Sequence, residues 1–217
     1  MKLVLFDCDG TLVDSVSLIH ETMRRTFLHF HKPEPRLEET KAIIGLTLDI
    51  AIARMQGKQH ADEEDVAMMA YYKSLFTTVR HDLDFREPLF SGIGELIGEI
   101  GPRQDLLIGA VTGKSRRGLD LILDTHGFRR FFVVSRTADD CPSKPHPAMV
   151  TECCDETGMV SADTVVVGDA IYDMQMAKAA GAKAIGVSWG YASVDQLWNA
   201  GADAVVDHPS ELLAHIG

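Results

Sequence analysis

Residues 3–11 read LVLFDCDGT and decide the fold prediction, because four apolar residues run directly into a turn with two aspartates. A short apolar run flanked by polar residues is typical of a strand buried on both faces of a sheet. Similar runs recur at residues 106–111, 131–134, 165–167 and 184–187, with a weaker one at residues 204–206. Helical patterning fills the gaps, as at residues 93–100, 117–126, 148–157 and 174–180. This alternation predicts an α/β fold with a doubly wound parallel sheet.

A helical block interrupts the alternation after the first strand. From about residue 15 to residue 85 the chain shows helical spacing, as in Ile19, Met23 and Phe27, and no run that is convincing as a buried strand. Because the block directly follows the first strand, we interpret it as an inserted all-helical cap. The predicted core comprises residues 1–14 and 86–217, and the predicted cap comprises residues 15–85.

Length and composition are those of an ordinary globular protein. A chain of 217 residues suffices for one domain with or without an insertion. Its 46% hydrophobic and 24% charged residues are usual for a soluble protein. No segment approaches the ~20 apolar residues of a membrane span, and the N-terminal apolar run is too short for a signal peptide. We therefore expect a cytoplasmic protein with no membrane partner, either a monomer or a dimer.

Net charge and cysteine usage exclude further classes. A net charge of -11 argues against nonspecific nucleic-acid binding, which needs a basic face. A phosphate site would have to be built locally from a few cations, backbone amides and a metal. The cysteines form no C-x-x-C pair and predict reduced thiols: Cys8, Cys141, Cys153 and Cys154.

Two aspartates follow the first predicted strand. Side chains alternate along a strand, so Asp7 and Asp9 can project to the same side of its end while Cys8 packs elsewhere. Ligands of open parallel sheets bind beyond the carboxyl ends of the strands. Two carboxylates there are costly to hold together without a cation. A turn rich in Asp and Gly is the alternative interpretation.

A hydroxyl and a lysine follow two later strands. The sequence from Thr112 to Ser115, TGKS, ends the second strand and opens a helix, where a hydroxyl and free backbone amides suit a phosphate. Lys144 stands in SKPHP before another helix, and a fixed ammonium suits a phosphate oxygen. The alternatives are an ordinary helix cap and a solvated lysine.

An acidic pair follows the strand at residues 165–167. Asp169 lies at the carboxyl end of that strand and Asp173 in the first turn of the next helix. Mg²⁺ favours a few carboxylates and retained waters, whereas a capping aspartate is the alternative. All four motifs fall on one predicted edge of one sheet, which favours a shared site over four unrelated features.

These residue types suit phosphoryl transfer through an aspartyl-phosphate. We predict that Asp7 is the nucleophile. Asp9 would protonate the leaving alcohol and then deprotonate the water that cleaves the intermediate. The residues that would bind the phosphate are Thr112, Gly113 and Lys144.

The predicted cofactor is Mg²⁺. Its predicted ligands are Asp7, Asp9 and Asp169, with Asp9 contributing its backbone carbonyl so that its side chain stays free. Asp173 would orient the waters of the metal or a neighbouring ligand.

The set D-x-D-G-T, T-G-K, K-P and G-D-x-x-x-D resembles the haloacid dehalogenase superfamily, over nearly the whole chain. FDCDGTLVDS, VTGKSRRGLD, SKPHP, GDAIYDMQMAKAAG and AIGVSWGY are similar to its phosphoglycolate-phosphatase-like branch. The resemblance implies a Rossmann-like core with a helical cap inserted after the first strand, and the residue roles given above. It also implies that the cap closes over the site, excludes water and selects the substrate.

The resemblance also bears on specificity. Gly45 and Leu46, in IIGLTLD, resemble the cap loop that faces the substrate, and Lys114 is a further candidate for substrate specificity. Many relatives have Asn where Gly113 stands and Thr where Ala170 stands. Neither departure removes a group that the chemistry needs, so both bear on the substrate more than on activity.

The predicted activity is hydrolysis of a small phosphomonoester, such as phosphoglycolate or a sugar phosphate, so the expected partner is a small phosphorylated metabolite. A phosphomutase with the same core is the alternative. A dehalogenase is disfavoured because halide departure needs no proton from Asp9. A phospho-receiver module would carry an acid after the third strand, where Ser135 and Arg136 stand. A non-catalytic binding protein stays open.

The sequence leaves open whether substrate is bound by His20, Arg116 and Arg117.

Overall fold

A parallel sheet forms the centre of the protein, whose computed structural model describes residues 1–81 and 87–216. The strands are β1 (Lys2–Phe6), β2 (Leu106–Val111), β3 (Phe132–Arg136), β4 (Thr164–Gly168), β5 (Lys183–Val187) and β6 (Ala204–Val206). They lie in the order β3-β2-β1-β4-β5-β6, and all neighbours are parallel. Each apolar run predicted as a strand is one, so the predicted α/β, Rossmann-like fold is confirmed.

The helices of the described residues follow the predicted pattern. In chain order they are α1 (Val16–His29), α2 (Leu37–Lys41), α3 (Leu48–Met55), α4 (Glu63–His81), α5 (Ile93–Ile100), α6 (Arg116–Thr125), α7 (Ala148–Thr157), α8 (Ile171–Ala180), α9 (Val194–Asn199) and α10 (Leu213–Ile216). Outside the helical block the sequence does not predict α9 and α10, because helices of fewer than two turns show too little periodicity. None of these helices has the length and apolar character to cross a membrane.

Alternate residues of the central strand β1 serve two separate apolar cores. Val4 and Phe6 belong to the cluster formed with α5, α6 and α10, whereas Leu3 and Leu5 belong to the cluster formed with α7, α8 and α9. Successive side chains of a strand point to opposite faces, so a continuous apolar run fills both. Cys8 lies in the first cluster, as predicted, and all four cysteines are buried free thiols.

Helices α1, α3 and α4 pack around a third apolar cluster. It includes Met23 and Phe27 of α1, Ile52 of α3, and Met68 and Tyr72 of α4. This confirms the helical patterning of the block. The division into core and cap stays a prediction, and its second boundary, between residues 85 and 86, lies outside the described residues.

The two segments that connect the helical block to the sheet lie side by side. Val13 forms an isolated antiparallel bridge with Leu89. The backbone N–H of Asp14 donates to the carbonyl of Pro88 at 2.8 Å, and that of Phe90 donates to the carbonyl of Leu12 at 3.1 Å. The block therefore joins the core through a paired connection beside the end of β1.

Candidate active site

The carboxyl ends of β1, β2 and β4 meet at one edge of the sheet. Phe6, the last residue of β1, pairs with Ala110 on one side and with Val167 on the other. The Asp7 N–H donates to the Val167 carbonyl at 2.9 Å, so the chain after β1 continues beside β4. The residues that follow the three strands and are buried at this edge include Asp7, Thr112 and Asp169.

Asp7 carries a buried carboxylate without a hydrogen bond. Among the described residues no group donates to either oxygen with hydrogen-bonding geometry, although the Lys144 ammonium lies 2.9 Å from Oδ1. Burial raises the pKa of Asp7 to about 7; Lys144 opposes the rise, whereas Asp173 and Asp9 add to it. Buried acceptors without donors are rare and costly, so this carboxylate fits a group that meets a cation or a substrate.

Lys144 is a fully buried cation between two carboxylates. Its Nζ lies 2.9 Å from Asp7 Oδ1 and 2.6 Å from Asp173 Oδ1. Burial by itself would lower the pKa of Lys144, but the charges of Asp173 and Asp7 outweigh it and raise that pKa. The solvated lysine is therefore excluded, and the ammonium is fixed beside the predicted nucleophile.

Three carboxylates converge at this point. Asp7, Asp169 and Asp173 each offer an oxygen, and these oxygens lie within 4.8 Å of one another. Burial, followed by the charges of Asp7 and Asp173, raises the pKa of Asp169 well above its usual value. One ammonium does not balance three buried carboxylates. The set therefore fits a hard divalent cation that takes oxygen ligands.

This set contains the two predicted side-chain ligands and the predicted orienting residue. Asp7 and Asp169 come together with Asp173, and the side chain of Asp9 lies outside the set. Both Asp173 oxygens already accept hydrogen bonds, from Lys144 Nζ and, at 3.0 Å, from the Ala170 N–H. A positioning role for Asp173 and a backbone contact from Asp9 stay predictions.

Asp169 is held in place by groups from two other segments. Thr11 Oγ1 donates to Oδ1 at 3.0 Å, and the Tyr191 N–H donates to Oδ2 at 2.9 Å. Gly10 has a positive φ of 85°, and a Cβ at that position would lie 2.2 Å from Asp169 Oδ2. Gly10 is thus needed at this turn both for its conformation and for the close approach of Asp169.

Asp9 faces the helical block and not the carboxylate cluster. Its Oδ1 accepts a hydrogen bond from Ser15 Oγ at 2.6 Å and lies 2.9 Å from Lys114 Nζ. Lys114 Nζ also contacts Glu87 Oε1 at 2.9 Å. Burial would lower the pKa of Lys114, but the charges of Asp9 and Glu87 outweigh it and raise that pKa well above its usual value. The two aspartates of the DCD turn therefore have different partners.

Glu87 extends this contact into the helical block. Its Oε2 lies 3.2 Å from Arg80 Nε of α4, so one buried carboxylate joins a basic residue of α4 to Lys114 after β2. Glu87 is not predictable from the sequence, because it stands in a connecting segment with no motif around it. Its partner Lys114 lies 27 positions further along the chain, so the contact leaves no local pattern.

In the TGKS segment, one residue caps a helix and another lies at the candidate site. Ser115 is the N-cap of α6, and its Oγ accepts a hydrogen bond from the Gly118 N–H at 3.2 Å. Thr112 Oγ1 accepts one from the Lys114 N–H at 3.2 Å and belongs to the buried edge of the sheet. A helix-cap role therefore belongs to Ser115, while Thr112 stays a predicted phosphate ligand.

Gly113 lets the helical block approach the sheet edge closely. A Cβ at Gly113 would lie 2.5 Å from the carbonyl oxygen of Leu46 and 2.7 Å from that of Gly45. Nearby, the Thr47 N–H donates to Ser143 Oγ at 2.9 Å. The predicted specificity loop at residues 45–46 thus rests directly on the predicted phosphate-binding segment.

We expect Gly113→Ala to lower kcat/KM for a phosphomonoester roughly 10- to 100-fold, because the added methyl group displaces the loop at residues 45–46 by about an ångström. Steady-state kinetics with para-nitrophenyl phosphate measures this. Gly98→Ala is the matched control, since a Cβ there meets nothing within 4 Å. Equal kinetics for the two variants would show that this contact is not kept in the working enzyme.

Tyr191 connects the candidate site with the start of α1. Its hydroxyl oxygen accepts from the Ser15 N–H at 3.0 Å and from the Val16 N–H at 3.1 Å, and the hydroxyl lies 3.2 Å from Asp14 Oδ1. Its own N–H is the donor to Asp169. The sequence offers no signal for this role, because an aromatic residue after a strand is usually a packing residue.

We expect Tyr191→Phe to lower the free energy of unfolding by about 1–2 kcal/mol, since the Ser15 N–H loses its acceptor and the Val16 N–H keeps only the longer bond to Asp14 Oδ1 at 3.4 Å. Urea denaturation measures this loss. Tyr71→Phe is the control, because Tyr71 packs by ring stacking, with His29 at 3.9 Å between centroids. A loss no larger than that of the control would refute the capping role.

A cavity of about 740 Å³ lies between the helical block and the sheet edge. Three predicted specificity residues line it, namely Gly45, Leu46 and Lys114, and so does Arg117.

The sequence leaves open whether His20, Arg116 and Arg117 bind substrate. Of these, His20 contacts Thr40 Oγ1 at 2.8 Å within the helical block. Arg116 binds Ser135 and Asp140. Only Arg117 of these three lines the cavity.

Comparisons with known proteins agree with this arrangement. Residues 4–187 match the family profile of haloacid dehalogenase-like hydrolases. The chain is 32% identical to a probable phosphatase IndB of Dickeya dadantii, over 97% of this chain and 91% of that protein. It is 28% identical to a phosphoglycolate phosphatase of Chromobacterium violaceum, over 98% and 95% of the two chains. The crystal structure of a predicted phosphatase from Clostridium acetobutylicum superimposes with a TM-score of 0.86 at 25% identity, covering 99% of this chain and 97% of that one.

Proposed function

Because the chain belongs to the haloacid dehalogenase-like hydrolases, we propose that it is a Mg²⁺-dependent phosphatase that hydrolyses a small phosphomonoester through an aspartyl-phosphate on Asp7. The observation that carries the proposal is the Asp7 carboxylate, which is buried beside Asp169 and Asp173 and, among the described residues, meets only the Lys144 ammonium, with no hydrogen bond of suitable geometry. A purely structural aspartate at full burial would have its oxygens satisfied by donors.

Asp7 acts first. One oxygen of its carboxylate attacks phosphorus, and the bond between phosphorus and the leaving oxygen breaks. Lys144 is positioned to bind a phosphate oxygen, because its ammonium is already within 2.9 Å of the attacking carboxylate. Thr112 Oγ1 and the backbone N–H of Gly113 are the further phosphate-binding groups of the proposal.

Asp9 moves the protons. In its acid form it donates a proton to the leaving oxygen. It then takes a proton from water, whose oxygen attacks phosphorus and breaks the bond to Asp7, so that inorganic phosphate is released and Asp7 is regenerated. Its separation from the carboxylate cluster supports this division, since its partners are Ser15 and Lys114.

Asp7 and Asp169 are the proposed side-chain ligands of Mg²⁺, with the Asp9 carbonyl as a third protein ligand. When bound, the cation offsets the negative charge of these carboxylates and of the phosphate. Asp173 holds Lys144 and accepts from the Ala170 N–H, so in the proposal it orients the site and does not replace a ligand. The helical cap of residues 15–85 and the cytoplasmic location remain part of the proposal.

Phosphate release from a panel of phosphomonoesters tests the function. We expect release in Mg²⁺, its loss when EDTA removes the cation, and its return when Mg²⁺ is added in excess. Release that persists after chelation would contradict the metal requirement. Turnover that needs a sugar bisphosphate as activator would instead favour a phosphomutase, and no release from any ester would refute the phosphatase.

A further inference from the structure

The cavity between the helical block and the sheet edge continues from the candidate site. Asp9 lines it, together with Gly113 and Lys114 of the segment after β2. Its volume of about 740 Å³ is large for a phosphate group and a two-carbon leaving group. Pockets of this size are typical of ligands with a substantial organic part.

The wall formed by the helical block is apolar and partly aromatic. Ile19 and Met23 of α1 line the cavity, and Met69, Tyr72 and Phe76 line it from α4. The last three are spaced by three and four residues, so they share one face of that helix. The Tyr72 and Phe76 rings lie 5.8 Å apart between centroids with a tilt of 31°.

This aromatic pair stands beside the proposed proton donor. Lys114 Nζ lies 5.8 Å from the centroid of the Phe76 ring and 2.9 Å from Asp9 Oδ1. One ammonium group therefore separates the ring from the carboxyl group that protonates the leaving oxygen. A leaving group whose oxygen meets Asp9 is directed towards Phe76 and Tyr72.

The charges around the cavity do not suit a second anion close to Asp9. Lys114 is already paired with Asp9 and Glu87, and Arg80 is paired with Glu87. The other lysine and arginine of the described lining, Lys73 and Arg117, are exposed to solvent. A carboxylate on a short leaving group would thus lack an unpaired buried cation, and burying it would be costly.

We propose that the substrate is a phosphomonoester whose leaving group carries an apolar ring, which lies against Tyr72 and Phe76 while Asp9 protonates the ester oxygen. The inference rests on the proposed phosphatase activity and names its substrate class. Aromatic rings favour offset or edge contacts with other rings at the spacing that this wall offers. A glycolate leaving group would use neither the ring wall nor the volume.

The test compares 2-phenylethyl phosphate with ethyl phosphate and phosphoglycolate in Mg²⁺. Ethyl and phenylethyl alcohols are both unactivated leaving groups, so their ratio of kcat/KM reports binding of the ring and not leaving-group chemistry. We expect 2-phenylethyl phosphate to exceed ethyl phosphate roughly 10- to 100-fold, the gain that burial of a ring-sized apolar group brings. Phosphoglycolate is also expected to have a lower kcat/KM than 2-phenylethyl phosphate.

Variants of Phe76 separate ring binding from a general loss of structure. Phe76→Ala is expected to lower the ratio between phenylethyl and ethyl phosphate at least about fivefold, and Phe76→Leu, which keeps most of the volume, serves if the alanine variant does not fold. Tyr71→Ala is the matched control on α4, because Tyr71 stacks on His29. It should leave the ratio unchanged. A structural effect would lower turnover of both esters and leave the ratio as it is.

Binding of the non-hydrolysable 3-phenylpropylphosphonate and propylphosphonate, measured by calorimetry, gives a readout without turnover. A ring preference in both kinetics and binding supports the proposal. Turnover without ring preference, or best turnover of phosphoglycolate, overturns it while leaving the phosphatase intact. Selective binding of the ring phosphonate with no turnover of any ester overturns the proposed function and supports the cavity assignment.

Discussion

Asp7→Asn is expected to abolish phosphatase turnover, with kcat lowered by roughly four orders of magnitude or more. The amide is a much weaker nucleophile than the carboxylate, and it cannot form the acyl phosphate. Because the substituted side chain has nearly the same shape, Lys144 and Asp173 keep their positions. Release of inorganic phosphate under saturating ester and Mg²⁺ measures the effect, and intact-protein mass after rapid acid quench should show no added phosphoryl group.

The fold of this variant is expected to be intact, and the charge on Asp7 gives the reason. Burial raises the pKa of Asp7 to about 7 from its ordinary value of 3.8, so between these values the folded state binds more protons than the unfolded chain. Without divalent cations, this group therefore lowers the free energy of unfolding as the pH rises through that window. Removing its charge should leave the cation-free protein at least as stable at pH 8 as the parent.

Asp155→Asn is the matched control, since Asp155 is exposed on α7, away from the sheet edge. It should retain parental turnover. Parental turnover in Asp7→Asn would refute the assignment of the nucleophile. An unfolded Asp7→Asn would contradict the proposed relief of charge at this site.

Asp9→Asn is expected to lower kcat about 10²- to 10⁴-fold and to trap the phosphorylated enzyme. With para-nitrophenyl phosphate the leaving group departs without a proton, so the first step still proceeds. The amide cannot take the proton from water, so the second step becomes slow. The asparagine can still accept a hydrogen bond from Ser15 Oγ, and Lys114 keeps its contact with Glu87.

Acid-quenched samples of Asp9→Asn should gain one phosphoryl group in mass, and hydroxylamine should remove it, as expected for an acyl phosphate. The double variant Asp7→Asn with Asp9→Asn should carry no such group. Turnover near that of the parent, with no accumulation, would exclude Asp9 as the acid and base. A phosphoryl group that survives in the double variant would place the acceptor elsewhere.

Much of the fold could be predicted because it depends on local patterns. Each strand of the sheet is a short apolar run, and β1 shows why such runs are recognisable: Val4 and Phe6 face one core, while Leu3 and Leu5 face the other. Two short helices outside the helical block, α9 and α10, escaped prediction because their sequences are too short to show a period. The helical block was recognisable by its spacing, whereas its boundary as a cap remains a prediction.

The sequence predicts which residues form the candidate site, but not which groups their side chains contact. Asp7, Thr112 and Asp169 follow neighbouring strands, and parallel topology alone brings them to one edge. The partners of the Asp9 side chain were not predictable. It lies outside the carboxylate cluster and contacts Ser15 and Lys114, and these contacts depend on how the turn after β1 is oriented.

The sequence by itself determined the chemical groups at the sheet edge, because parallel strands deliver the residues after their carboxyl ends to one place. Only the tertiary structure decided what each group meets. Lys144 reaches Asp7 and Asp173, Glu87 joins Lys114 to Arg80, and Tyr191 holds Ser15 from 176 positions along the chain. Such contacts join distant segments and leave no local pattern. The apolar cavity beside Asp9 arises in the same way, from α1 and α4 packing over the sheet edge.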